Sequence, residues 1–97
     1  MKKAYYIENK SYWKNAVLLD YQMADGGEMP IVYTSQRKAS SRLENMVKVY
    51  TEKMGYKVIT TDENHPAKRN HCLHAWTLEN QAHHSRVELR LYIFYIN

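Results

Sequence analysis

Histidine and cysteine, which ligate zinc in many proteins, are concentrated in the last third of the chain. Six lie between positions 65 and 84: His65, His71, Cys72, His74, His83 and His84. If 71–79 forms one arm of a hairpin, His74 lies near its start and His83 just beyond its end, roughly 20 Å apart at about 3.3 Å per residue. A local site from His65, His71, Cys72 and His74 stays open, but these residues lack the paired spacing of zinc modules. The favoured interpretation is no metal and no other cofactor.

Metal-independent catalysis is the next chemistry that these residue types allow. Small ribonucleases can work with Lys, Arg, His and Tyr alone if the groups gather around a phosphate. The candidates are His71, His74, Arg86 and Arg90. The sequence contains no glycine-rich phosphate loop, nucleophile elbow or His-Glu-x-x-His motif. It therefore favours a protein that is not an enzyme, with a ribonuclease-like activity as a further alternative.

Positive charge is concentrated in residues 36–57, which contain six basic residues and two acidic ones. Three basic residues fall in the first turns of a predicted helix, where cations oppose the helix dipole and a bound anion would offset that cost. Lysines also alternate with aromatic residues in 2–14, a pattern typical of proteins that bind single-stranded nucleic acid. The predicted nucleic-acid-binding residues are Arg37, Lys38, Arg42, Lys68 and Arg69.

One amphipathic helix, over about 36–54, would position the first three of these residues. Its apolar stripe consists of Ala39, Leu43, Met46, Val47, Tyr50 and Met54. Gly55 follows where a left-handed residue typically ends a helix. Ser35 suits the N-cap, while a capping box beginning at Ser41 is the alternative start. The stripe begins at Ala39, which favours the earlier start.

Strand patterns flank this helix on both sides: 4–8, 13–23 and 30–34 before it, then 56–61, 71–79 and 85–96. Residues 13–23 fit a helix as well, but the turn signal Asp25-Gly26-Gly27 favours a strand. A four-residue loop at 80–83 would place Trp76 opposite Val87 in the last hairpin, with Cys72 facing the core. The predicted fold is α+β with the order β-β-β-α-β-β-β, one helix on a mostly antiparallel sheet in two layers.

The last strand predicts a second apolar surface. Its odd-numbered residues from Val87 to Tyr95 share one face, and Tyr92, Phe94 and Ile96 share the other. A single helix covers only one face of a sheet, so these three residues are predicted to form an interface. Three covers stay open: a curled sheet, a ligand, or a second copy in a homodimer.

Length and composition bound the remaining possibilities. Ninety-seven residues, 44% of them hydrophobic and 25% charged, predict one folded domain over 1–97 rather than a disordered chain. No apolar run approaches the ~20 residues of a membrane span, and the lone Cys72 cannot form an internal disulfide. We expect a cytoplasmic protein without membrane contact. The leading hypothesis is a small basic nucleic-acid-binding module, and the alternative is a protein-interaction module that uses the exposed sheet face.

Overall fold

A computed structural model describes residues 2–11, 16–19, 21–24 and 27–96. The elements in chain order are β1 (Lys2–Ser11), β2 (Ala16–Leu19), β3 (Tyr21–Ala24), β4 (Gly27–Pro30), α1 (Gln36–Lys53), β5 (Lys57–Thr60), a 3-10 turn (Asp62–Asn64), β6 (Cys72–Asn80) and β7 (Ser85–Ile96). Five strands form an antiparallel sheet in the order β2-β1-β7-β6-β5, and β3 pairs with β4 separately. The predicted α+β class, with one helix on an antiparallel sheet, is confirmed. Among the described residues, no helix is long and apolar enough to cross a membrane.

The strands before the helix differ from the prediction. The segment 13–23 holds two short strands, β2 and β3, that belong to different sheets, and residues 12–15 lie outside the described part. The predicted strand 30–34 is wrong: β4 ends at Pro30, which has no N–H to continue a ladder. Beyond it, Tyr33 forms an isolated bridge with Tyr5 through two backbone hydrogen bonds of 2.8 Å. The β3–β4 hairpin exists, but residues 25–26 of its predicted turn are not described.

The helix α1 begins and ends close to the predicted positions. Ser35 caps it, since its Oγ accepts the Lys38 N–H at 3.3 Å. Gly55 follows the C-cap Met54 and has the left-handed φ of +75° that the sequence predicted. Asn80 Nδ2 donates to the Met54 carbonyl at 3.0 Å. The end of the helix is therefore tied to the end of β6.

The hydrophobic core lies between α1 and one face of the sheet. Its buried members are Tyr5, Ile7, Ala39, Leu43, Leu78, Val87, Leu89 and Leu91. Burying each of the larger aliphatic side chains contributes about 1.5–3 kcal/mol. Because successive strand residues point to opposite faces, Glu88 and Arg90 lie on the face turned away from α1, called here the second face.

The β6–β7 hairpin pairs two residues away from the predicted register. Trp76 lies opposite Leu89 rather than Val87, and the four-residue turn is 81–84 rather than 80–83. A shift of two residues keeps side chains on their predicted faces. A bulge between positions 72 and 74 then places Cys72 opposite Tyr92. Cys72 is buried, as expected, but on the second face rather than facing the core.

Candidate functional site

The loop 61–71 is hydrogen-bonded to the edge of β6. Because β5 pairs with β6 only at positions 77–79, the backbone of β6 before that point needs other partners. Asp62 supplies one: its Oδ1 accepts the Ala75 N–H at 2.8 Å, and its Oδ2 lies 2.9 Å from His74 Nδ1. Lys68 Nζ lies 3.6 Å from the same oxygen. The carboxylate of Asp62 therefore holds both ends of the loop.

The contacts of Asp62 keep it ionised. Burial alone would raise the pKa of Asp62, but the hydrogen bonds from His74 and Ala75, with the charges of His74 and Lys68, outweigh burial and lower the pKa. Lys68 was predicted to contact nucleic acid. Its ammonium lies beside the carboxylate of Asp62, and its binding to nucleic acid stays a prediction.

On the second face, the loop brings a histidine against a row of four linked residues of the sheet. His65 Nε2 lies 2.7 Å from Thr77 Oγ1, and Thr77 donates to Glu88 Oε1 at 3.3 Å. Arg90 donates to the other oxygen of Glu88 through Nη2 and to Tyr92 Oη through Nη1, the latter at 3.2 Å. We call these five residues the sheet-face cluster.

His65 is a neutral imidazole whose two nitrogens are both engaged. Its Nδ1 accepts the Ala67 N–H at 3.1 Å, so the proton belongs on Nε2, which donates to Thr77. Burial lowers the pKa of His65; the carboxylate of Glu88 opposes this shift and the guanidinium of Arg90 reinforces it. His65 thereby fixes the hydroxyl of Thr77, and Thr77 in turn fixes Glu88.

Arg90 is a fixed positive charge, and one of its N–H donors is not used within the described part of the fold. Burial alone would lower the pKa of Arg90, but the hydrogen bond to Tyr92 and the charge of Glu88 raise it. The Nε is buried and has no hydrogen-bond partner among the described residues. An unpaired buried donor costs about 1–3 kcal/mol, so its presence in a folded protein calls for an explanation such as a functional role.

A cavity of about 560 Å³ opens beside the cluster. The loop and the sheet both contribute to its walls, which include Tyr6, Arg69, Cys72, Glu88, Arg90 and Tyr92. Tyr6 stacks on Tyr92 with ring centroids 5.2 Å apart and lies 5.7 Å from Phe94. The cavity therefore combines a guanidinium, a carboxylate and aromatic rings.

The predicted nucleic-acid-binding residues are divided between the two layers. Arg37 and Lys38 are exposed at the start of α1, and Arg42 is half-buried one turn later. Since α1 packs on the core face, these three lie on the opposite side of the sheet from the cavity. Arg69 is exposed and lines the cavity itself. Binding through these residues stays a prediction.

The predicted interface residues lie on the second face. Tyr92 and Phe94 are half-buried side by side with Tyr6, and Ile96 is 45% exposed. Tyr92 also belongs to the sheet-face cluster, so the predicted interface and the cavity adjoin.

Of the four ribonuclease candidates, only His71 and Arg90 line the cavity. Arg90 lies in the cluster, whereas His74 contacts Asp62 and Arg86 lies 3.8 Å from Glu79. His71 lies along the cavity wall, but its ring is edge-on to Tyr95 with centroids 6.5 Å apart.

Sequence reasoning missed His65, Thr77 and Glu88 as members of a site. The alternation of β7 already placed Glu88 and Arg90 on one face. For His65, in a loop, the sequence held no signal that it would reach Thr77.

No family model, curated protein or solved structure matches this chain. Across residues 2–11, 16–19, 21–24 and 27–96, no group of three or more His, Cys, Asp or Glu side chains is placed to hold a metal ion. The candidate site is therefore defined by its own geometry, the sheet-face cluster and its cavity.

Proposed function

We propose that this protein binds single-stranded nucleic acid in the cavity on the second face of the sheet. The observation that carries the proposal is the guanidinium of Arg90, held at the cavity wall between Glu88 and the stacked pair Tyr6–Tyr92. A guanidinium recognises phosphate oxygens, and exposed aromatic rings stack on unpaired bases. The two requirements of strand binding meet in one cavity.

Charge and size support this occupant. Arg69 and Arg90 both line the cavity, so positive charges outnumber the one carboxylate, Glu88. The volume of about 560 Å³ lies within the roughly 300–1,000 Å³ of small-molecule sites. The rings of Tyr6 and Tyr92 are half-buried, so a base must leave its duplex stack to reach them. We therefore expect single strands to bind more tightly than duplexes.

Fluorescence anisotropy with labelled single-stranded RNA, single-stranded DNA and duplex DNA tests the proposal, at low and near-physiological salt. We expect Arg69→Gln to weaken binding and to reduce the slope of log affinity against log salt by about 0.7, the value for one phosphate contact on a single strand. Tyr6→Leu should weaken binding about 5- to 150-fold, the equivalent of about 1–3 kcal/mol for one stacked base.

The matched control removes a positive charge from the other layer. Arg37→Gln deletes an exposed arginine at the start of α1 and should leave affinity and salt slope unchanged. Binding that responds to Arg37→Gln but not to Arg69→Gln would move the site to the basic helix start. The absence of binding at low salt would contradict the proposal altogether.

A homodimer through Tyr92, Phe94 and Ile96, and a cytoplasmic location, are further parts of the proposal. The homodimer is supported by Ile96, which is 45% exposed at the end of β7. Light scattering over a range of concentrations tests it, with Ile96→Ser expected to favour the monomer. A wild-type monomer at all concentrations would contradict the homodimer without affecting strand binding.

A further inference from the structure

We infer that the cavity cleaves the RNA strand it binds, by attack of a 2′-hydroxyl on the adjacent phosphate, with Glu88 as general base and Tyr92 as general acid. This inference rests on the proposed function, since the strand must first occupy the cavity. It assigns a metal-independent phosphodiester cleavage and restricts the substrate to RNA.

The geometry that supports this inference is one guanidinium shared by a carboxylate and a phenol. Arg90 donates to Glu88 through Nη2 and to Tyr92 through Nη1. The three residues alternate along β7, so all three side chains project from the same face. A phosphate drawn to the guanidinium would therefore have a proton acceptor on one side and a proton donor on the other. An in-line displacement needs that arrangement, because the attacking and leaving oxygens lie on opposite sides of phosphorus.

The reaction balances without a metal, an oxidant or a co-reactant. The Glu88 carboxylate takes the proton of the 2′-hydroxyl, and the 2′-oxygen forms a bond to phosphorus. The bond from phosphorus to the 5′-oxygen breaks, and that oxygen takes the proton of the Tyr92 hydroxyl. The products are a 2′,3′-cyclic phosphate and a 5′-hydroxyl, and water returns the proton from Glu88 to Tyr92.

Arg90 would stabilise the charge that builds on the phosphate oxygens during attack. Preorganised donors aimed at developing charge are commonly the largest single contribution to catalysis. Tyr92 Oη accepts its described hydrogen bond from Arg90, so the phenol keeps its own proton to donate. His65 and Thr77 are positioning residues: they hold the Glu88 carboxylate, and both nitrogens of His65 are already engaged.

The test incubates the full chain with a single-stranded RNA labelled at its 5′ end, in the presence of EDTA. We expect fragments ending in a 2′,3′-cyclic phosphate, while the 2′-O-methyl strand of the same sequence is bound but not cut. Tyr92→Phe removes one oxygen and keeps the ring, and should lower the cleavage rate about 10²- to 10⁴-fold with RNA affinity retained. Tyr95→Phe, the same change on the same strand outside the cavity, should leave the rate unchanged.

Glu88→Gln gives a second readout. It should lower the cleavage rate about 10²- to 10⁴-fold with RNA affinity retained, because an amide cannot accept the proton of the 2′-hydroxyl. Binding of RNA without any cleavage would overturn this inference and leave the proposed function standing. Binding of single-stranded DNA but not RNA would likewise overturn only this inference, and failure to bind either single strand would overturn both. Cleavage that survives unchanged in Tyr92→Phe and Glu88→Gln would overturn the assignment of both residues.

Discussion

Replacing Glu88 by glutamine tests whether the sheet-face cluster is an ion pair held inside the fold. The side chains of Glu88 and Arg90 are 10% and 24% exposed. Glutamine keeps the shape of Glu88, and its amide oxygen can still accept from Thr77. Its amide nitrogen then faces the guanidinium, and two donors cannot bond to each other. Arg90 therefore keeps its charge and loses its anionic partner.

The size of the effect follows from the burial of the charge that remains. Removing one partner of a fully buried pair costs about 3–5 kcal/mol. Because about a quarter of the Arg90 side chain reaches water, which screens the remaining charge, we expect about 2 kcal/mol. For a chain of 97 residues, a loss of about 2 kcal/mol lowers the melting temperature by roughly 8–16 °C.

Thermal unfolding followed by circular dichroism at neutral pH measures this effect against a matched pair in the same hairpin. Glu79 lies 3.8 Å from Arg86, and their side chains are 32% and 51% exposed. Glu79→Gln should therefore cost no more than about 0.5 kcal/mol, which is less than about 4 °C. In a second comparison, Glu88→Gln combined with Arg90→Met should be more stable than Glu88→Gln alone, because no unpaired charge remains.

Two results would refute this reasoning. Equal shifts in melting temperature for Glu88→Gln and Glu79→Gln would mean that the Glu88–Arg90 pair is no more shielded from water than a surface pair. A double variant less stable than Glu88→Gln would mean that the stem of Arg90, rather than its paired charge, provides the stability.

Three further predictions test other parts of the fold. The pKa of Asp62 is lowered by folding, so its stabilising contribution is present above its unfolded pKa of about 4 and is lost as the pH falls through the folded value. Urea unfolding across this range should show a steeper loss of the free energy of unfolding for the wild type than for Asp62→Asn. Parallel losses would contradict the prediction. Gly55→Ala should lower the free energy of unfolding by about 1–2 kcal/mol, because alanine is strained at the observed φ of +75°, and an unchanged urea midpoint would count against that conformation. Cys72 is 7% exposed, and burial raises the pKa of its thiol. A thiol reagent at neutral pH should therefore react with Cys72 slowly in the folded protein and quickly in urea. Rapid reaction of the folded protein would contradict the buried position of Cys72.

The parts of the fold that the sequence predicted are those determined by local periodicity. The apolar stripe from Ala39 and the cap residues Ser35 and Gly55 located α1 to within one residue at each end. The alternation in 85–96 predicted both the bounds of β7 and its two faces. These patterns depend on neighbours along the chain, so no knowledge of the tertiary structure was needed.

The errors arose where tertiary pairing decides the outcome. The segment 13–23 carries one alternating pattern, yet β2 joins the main sheet and β3 pairs with β4. The hairpin loop has the predicted length of four residues, but its position moved by one, which displaced the register by two. The face occupied by Cys72 depends on a bulge that has no marker in the sequence.

The candidate site illustrates why a second face is difficult to infer from a sequence. The density of basic residues along the chain is highest in 36–57, which favours the start of α1 as the site. The charge in the cavity comes instead from β7 and from Arg69 in the loop. Glu88 and Arg90 sum to zero in a count of charge, although their pairing on one face creates the site.

The loop 61–71 explains why the cluster has a fixed geometry. Asp62 binds β6 at one edge through the Ala75 N–H, and three residues later His65 reaches Thr77 on the second face. A loop attached at two points so close in sequence leaves His65 little freedom. Thr77 therefore presents its hydroxyl to Glu88 in one orientation, and Glu88 in turn holds Arg90. Each residue in this series is oriented by the one before it, so the position of the guanidinium at the cavity wall depends on a carboxylate at the edge of β6.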